Sequence, residues 1–99
     1  MAVHRVTLIP GDGAGPELVD AARVAMEATG VGFEWDLQPA GLSVVERERT
    51  PMPPRVIESI RSNGVALKGP LGTPAGVRSV NMGMRAALDL YAAVRPCRL

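Results

Sequence analysis

The chain has 99 residues, 46% of them apolar and 21% charged, which fits one modest globular core and argues against a disordered chain. Eleven Lys and Arg against ten Asp and Glu give a net charge of +1 with no basic block, which excludes an evident electrostatic binder of nucleic acid or membrane. One cysteine, Cys97, excludes an intrachain disulfide framework and a Cys-rich zinc site, and no apolar run approaches the length of a membrane span.

Val6-Thr7-Leu8-Ile9 is a short β-branched run that ends at Pro10-Gly11-Asp12-Gly13, the pattern of a buried strand entering a tight loop. Gly15-Pro16-Glu17 opens a helix, with proline and an acid in its first turn. Leu18, Ala22, Ala25, Met26 and Thr29 follow at helical spacing until Gly30 and Gly32 stop the pattern. Phe33 to Leu37 alternates as a second strand, and Gly41 to Thr50 is polar with some helical character. Pro51-Met52-Pro53-Pro54 breaks the chain and leads into a helix through Val56, Ile57 and Ile60 to Gly64. Val65 to Pro70 reads as a third strand, and helical spacing resumes after Ser79 with Met82, Ala86 and Leu90 on one stripe. Tyr91 to Pro96 reads as a fourth strand. Strands alternating with helices predict an α/β fold, layered αβα with a mainly parallel sheet, in which ligands gather at the carboxyl ends of the strands. The loops holding Asp12, Thr73 and Ser79 are then the expected functional edge.

Two constellations bear on chemistry. Pro10 to Pro16 holds Gly11, Gly13 and Gly15 between a strand and a helix, yet its G-x-G-x-G spacing is neither a dinucleotide fingerprint nor a P-loop, and by pattern alone a tight strand–helix turn explains it better. In the second, a serine at the start of a helix offers a hydroxyl and free backbone N–H groups to an anion; Ser79 holds that place. Asn81 and Arg85 share a helix face, and Arg85 can grip a carboxylate with two parallel bonds. Arg95, expected at a strand end, would close on the same point. Such a set suits a compact polycarboxylate, although Ser79 as a simple cap and Arg85 paired with a surface acid account for the same residues. His4 is expected before the first strand and exposed, Cys97 as a small buried thiol, and Tyr91 and Trp35 as packing residues.

Three segments in order extend this reading. Leu8 to Glu17 (Leu-Ile-Pro-Gly-Asp-Gly-Ala-Gly-Pro-Glu), Ala66 to Pro74 (Ala-Leu-Lys-Gly-Pro-Leu-Gly-Thr-Pro), and Arg78-Ser79-Val80-Asn81 continuing through Arg85 to Pro96 resemble the signatures of the isocitrate and isopropylmalate dehydrogenase family, the β-decarboxylating dehydrogenases. The resemblance covers essentially the whole chain and implies an incomplete N-terminal part of that family's fold, residues 1–99 forming a single partial domain. It implies an oxidoreductase of the tricarboxylic acid cycle, oxidising isocitrate to 2-oxoglutarate and carbon dioxide with NAD or NADP and Mg²⁺ or Mn²⁺. The Ser-x-Asn pair favours the isocitrate branch over isopropylmalate or homoisocitrate enzymes. Ser79 would bond the substrate γ-carboxylate, Arg85 and Arg95 would clamp its carboxylates, and Asn81 would reach substrate and nicotinamide ribose. Gly72 and Thr73 would border the nicotinamide, and Lys68 would support.

Two residues depart from the family pattern. Ala14 replaces a branched apolar residue, and Gly72 replaces a hydroxyl residue, so only the Gly72 backbone can serve the cofactor. The resemblance also implies that the metal aspartates and the catalytic lysine and tyrosine have no counterpart here, so no catalytic or metal residue is assigned. The isolated chain is expected to be catalytically incomplete. The alternatives are a non-catalytic tricarboxylate-binding or regulatory module and a fragment of an isopropylmalate- or homoisocitrate-type dehydrogenase. The implied partners are isocitrate or a similar polycarboxylate and, as in oligomeric relatives, a partner chain. Nucleic acid and membrane are not among them, and the expected compartment is the cytoplasm.

Overall fold

The computed structural model describes residues 2–99. Three strands form one all-parallel sheet, β1 (Val3–Ile9), β2 (Gly32–Leu37) and β3 (Ala66–Lys68), in the order β2-β1-β3. The helices are α1 (Gly15–Glu27), α2 (Val45–Glu48, entered through a 3₁₀ turn at Leu42–Val44), α3 (Pro54–Asn63) and α4 (Val80–Ala87).

In β1 Val6, Thr7, Leu8 and Ile9 are all buried, the mark of a central strand covered on both faces. Register places Val6 beside Trp35 and Thr7 beside Asp36. Trp35 stacks on Phe33 with ring centroids 5.0 Å apart and donates its Nε1–H to the Glu27 carboxylate at 2.7 Å, which puts α1 over the Val6, Leu8 and Trp35 face. The opposite face carries Thr7 and Ile9, which meet α3 through Ser59, Val56 and Ile60. The sheet is therefore the middle of three layers. The main apolar cluster lies on the α3 side, where Ile9, Ala40, Val56, Ile60, Leu71, Val80 and Met84 pack together.

Several expectations are corrected by this packing. β1 begins at Val3, so His4 lies within the strand, exposed and in register with Phe33. On α1 the buried side chain is Val19, whereas Leu18 is 59% exposed, because Gly15 is pressed under Pro10 and sets the inward face one residue later. On α4 the inward stripe is Val80 and Met84, with Leu88 packed beside them, and Met82 and Leu90 face outward.

The fourth strand is not formed. Residues 90–99 carry no regular structure, and Tyr91 and Val94 are 99% and 83% exposed. A strand persists only through ladder bonds to a neighbour, and among the described residues nothing pairs with this segment. Tyr91 is consequently not a packing residue, and Cys97 is an exposed thiol, not a buried one.

Candidate functional site

The carboxyl ends of the three strands, Ile9, Leu37 and Lys68, lie at one edge of the sheet. The chain moves from β1 to β2 and then crosses back over β1 to reach β3. In such sheets the gap between β1 and β3 is where loops diverge and leave a crevice for ligand. The loops Pro10–Ala14 and Gly69–Ser79 emerge beside that gap.

The first loop is held by backbone fit. A Cβ on Gly11 would collide with the Pro70 carbonyl, and Gly11 has φ +80. Side chains are therefore excluded where the two loops touch. Gly69 N donates to the Ile9 carbonyl at 2.8 Å, and Asp12 N donates to the Pro70 carbonyl at 2.7 Å. The Asp12 carboxylate then accepts the Gly72 N–H at 2.7 Å. The Gly72 amide is thus already committed inside the protein, which leaves its carbonyl as the backbone group free for a ligand.

The second loop ends at α4. The Thr73 hydroxyl oxygen accepts the Val80 N–H at 3.2 Å, and the Ser79 hydroxyl oxygen accepts the Met82 N–H at 3.4 Å. Ser79 is therefore the N-cap of α4, and its own hydroxyl proton stays available to an acceptor. Asn81 reaches back with its Nδ2 to the Leu71 carbonyl at 3.4 Å, while its Oδ1 is buried without a hydrogen-bond partner. A buried acceptor left unbonded costs about 1–3 kcal/mol, so Asn81 carries an unused valence for a donor.

Asn81 and Arg85 lie one turn apart on α4. Helix α4 stops by a backbone turn at Asp89, φ +55, where Asp89 N donates to the Ala86 carbonyl at 3.1 Å and Leu90 N to the Arg85 carbonyl at 3.0 Å. That turn sends the tail back along the helix end. Arg85 and Arg95 consequently line one cavity of about 400 Å³ with Leu90, Tyr91 and Val94. Neither guanidinium has a carboxylate within ion-pair range among the described residues. Ser79 opens onto a different groove, about 550 Å³, lined also by Met52, Ile57, Arg78 and Met84. The structure thus brings Arg85 and Arg95 together, and it does not bring Ser79 into their cavity.

For two residues that the sequence singles out, only the fold supplies the surroundings. Lys68 is half-buried, and its Nζ donates to the Gly69 carbonyl at 2.9 Å. Burial first, and the positive charge of Arg85 second, push its ammonium below the usual lysine range. The other is Asp12, whose partners come from segments 30 and 60 residues away. The sequence places Asp12 at the functional edge, and the fold adds these distant partners.

Among the described residues no three His, Cys, Asp or Glu side chains converge as a site for a metal ion. The Thr73 hydroxyl proton and the unbonded Asn81 Oδ1 are the polar groups that these two loops leave for a ligand. No helix of the described residues is long and apolar enough to cross a membrane.

Comparison with known proteins bears on the family and the fold. The family model for isocitrate/isopropylmalate dehydrogenase matches residues 5–99. The crystal structure of isocitrate dehydrogenase from Methylococcus capsulatus superimposes with a TM-score of 0.83 at 54% identity, over 89% of this chain and 26% of that one. A probable isocitrate dehydrogenase [NAD] subunit alpha, mitochondrial, of Caenorhabditis elegans is 45% identical over 97% of this chain. The chloroplastic 3-isopropylmalate dehydrogenase of Solanum tuberosum is 43% identical over 94%. The chain spans about a quarter of the length of these relatives, 27% in both curated cases. With 95 of its 99 residues (5 through 99) matched by one family model, the chain belongs to the isocitrate/isopropylmalate dehydrogenase family.

Proposed function

We propose that this chain supplies the substrate-carboxylate clamp of an NAD(P)-dependent isocitrate dehydrogenase, as the N-terminal segment of that enzyme's large domain. The observation that carries the reading is the pair Arg85 and Arg95, two guanidiniums without carboxylate partners facing one cavity. Two forks of this kind suit a ligand with several carboxylates. Ser79 adds a hydroxyl donor for a third carboxylate once the segment is completed by further chain. The unbonded Asn81 Oδ1 accepts a hydroxyl, as from the substrate or from the nicotinamide ribose. Thr73 and the Gly72 carbonyl border the nicotinamide. Completion by the remaining three quarters, in the same or a partner chain, supplies the Mg²⁺ or Mn²⁺ ligands and the proton-transfer groups.

Two measurements test this. Calorimetry of the 99-residue chain with isocitrate should show binding that weakens roughly 10- to 150-fold in Arg85→Ala, the loss of a charge-assisted bond. Arg85→Lys should not restore it, because an ammonium lacks the two-pronged geometry. A fusion to the complementary part of the Methylococcus capsulatus relative should form NAD(P)H from isocitrate with Mn²⁺ in an Arg85-dependent way. A folded fusion without turnover removes the dehydrogenase reading, and a lone chain that still binds isocitrate then favours a non-catalytic tricarboxylate module. The Solanum tuberosum relative makes 3-isopropylmalate the comparison substrate; preference for it would move the chain to that branch.

A further inference from the structure

We propose that Asp12 is a positioning residue, tying the loops after all three strands together and so ordering the Gly72–Ser79 segment for its ligand; the ligand half of this rests on the function proposed above. The Asp12 carboxylate has backbone partners in both of the other loops. Oδ2 accepts the Gly72 N–H at 2.7 Å and the Leu42 N–H at 2.9 Å, and Oδ1 accepts the Ser43 N–H at 3.3 Å. The Asp12 backbone N–H is itself tied to Pro70 at 2.7 Å. No lysine or arginine pairs with this carboxylate among the described residues. Its negative charge is balanced by oriented amide dipoles alone.

Two glycines make room for this carboxylate. A Cβ at Gly41, which has φ +96, would strike the Asp12 carboxylate, and a Cβ at Gly72 would strike Leu42 and crowd Asp12. The two glycines thus let the carboxylate reach backbone N–H groups that a side chain would screen. From Gly72 the order passes along the chain. Thr73 receives the Val80 N–H, and Ser79 caps α4 one turn on, so the start of α4 and the Asn81–Arg85 face inherit the position Asp12 sets. A simple turn staple would stabilise the fold evenly. Loss of a positioning residue loosens one segment and leaves the sheet untouched.

The test uses NMR on the full 99-residue chain. In the wild type a coupling across the hydrogen bond, from the Gly72 amide nitrogen to the Asp12 side-chain carbon, is expected. In Asp12→Asn the Gly72 amide should exchange at least about tenfold faster, the size set by a bond to a charged group. The Val6 and Leu8 amides should keep their protection, and isocitrate affinity should fall at least severalfold, followed by the Ser79 and Asn81 amide shifts. Missing coupling together with unchanged Gly72 exchange overturns the proposal. So does a loosened Gly72 with unchanged isocitrate affinity, which leaves Asp12 a staple only. If the wild type takes up no isocitrate, the function above fails instead, and the exchange rates across Gly72–Ser79 alone decide whether Asp12 orders them. Should Asp12→Asn not fold, the wild-type coupling decides the bond and Asp12→Glu, whose longer arm shifts the carboxylate off Gly72, decides its effect.

Discussion

Asp36 lies on β2 with its side chain 19% exposed, and a line of hydroxyls and amides runs to it from the buried core. Ser59 donates its only hydroxyl proton to Asp36 Oδ2 at 2.5 Å, so Thr7 must be the donor in the 2.7 Å bond to Ser59. Asn63 in turn donates to Thr7 at 2.8 Å and to Asp36 at 3.1 Å. This chain of bonds is how a threonine with no exposed surface is tolerated at the centre of β1. Removing its middle member in Ser59→Ala strands the Thr7 proton and takes a donor from Asp36, at a cost of about 1–3 kcal/mol in urea unfolding. The same bond, then those from Gln38 and Asn63 and the charge of Arg5, holds the Asp36 carboxyl below the usual aspartate range against the opposing effect of burial. A carboxyl depressed in the folded state adds stability that is complete above its unfolded value of about 3.9 and is lost as acid protonates it below that. Urea midpoints between pH 5 and pH 2.5 should therefore fall more steeply in the wild type than in Ser59→Ala. A parallel fall in the two proteins contradicts the assignment.

Helix α4 shows how much of an element is written in its own residues. Ser79 as N-cap is legible, since a serine before an apolar-periodic run announces one. The inward face is not, because Met82 and Met84 are equally apolar, and only the packing of Val80 and Met84 against Ile9, Val56 and Ile60 chooses between them. The same ambiguity shifts the buried position of α1 from Leu18 to Val19. The missing fourth strand has another cause: Tyr91 to Val94 has strand composition, but a strand is a property of a pair, and its neighbour is not among the described residues. Among the candidate residues, the Ser79 cap and the shared face of Asn81 and Arg85 are legible through helix spacing, whereas the opening of Ser79 onto a separate groove is not. The backbone partners of Asp12 and the half-burial of Lys68 depend on the packing of distant segments, which no local pattern encodes. Asp89 becomes intelligible only with the backbone in view. It takes the left-handed position that usually belongs to glycine, and it sets a negative charge at the carbonyl end of the helix. Asp89→Gly should raise stability by about 1 kcal/mol. Gly83, inside α4 with open space where a Cβ would lie, predicts a gain of about 0.5–1 kcal/mol for Gly83→Ala. Thermal unfolding checks both, and a loss in either variant refutes the corresponding geometry.

The molecule as a whole is looser than its length requires. Its radius of gyration is 14.2 Å, against about 13 Å for a compact domain of 100 residues. The excess comes from the irregular tail beyond Leu88, where Leu90, Tyr91, Val94 and Leu99 hold apolar surface in water. Beside it β3 offers an unpaired edge, and a cavity of about 300 Å³ lined by Ile9, Ile60, Ala66, Met84, Leu88 and Leu90 opens along that edge. Unpaired ladder groups next to apolar surface favour pairing with another chain. Sedimentation of the isolated chain should accordingly show association that grows with concentration. Replacing Leu90 and Tyr91 with glutamate should reduce it, since charge on an open edge opposes pairing. Hydrogen exchange should find the amides of Val6 to Ile9 protected and those beyond Leu90 unprotected in the monomer. Association that persists unchanged in the double glutamate variant would place the contact elsewhere, on the groove of Met52, Ile57 and Val77 that also stands open.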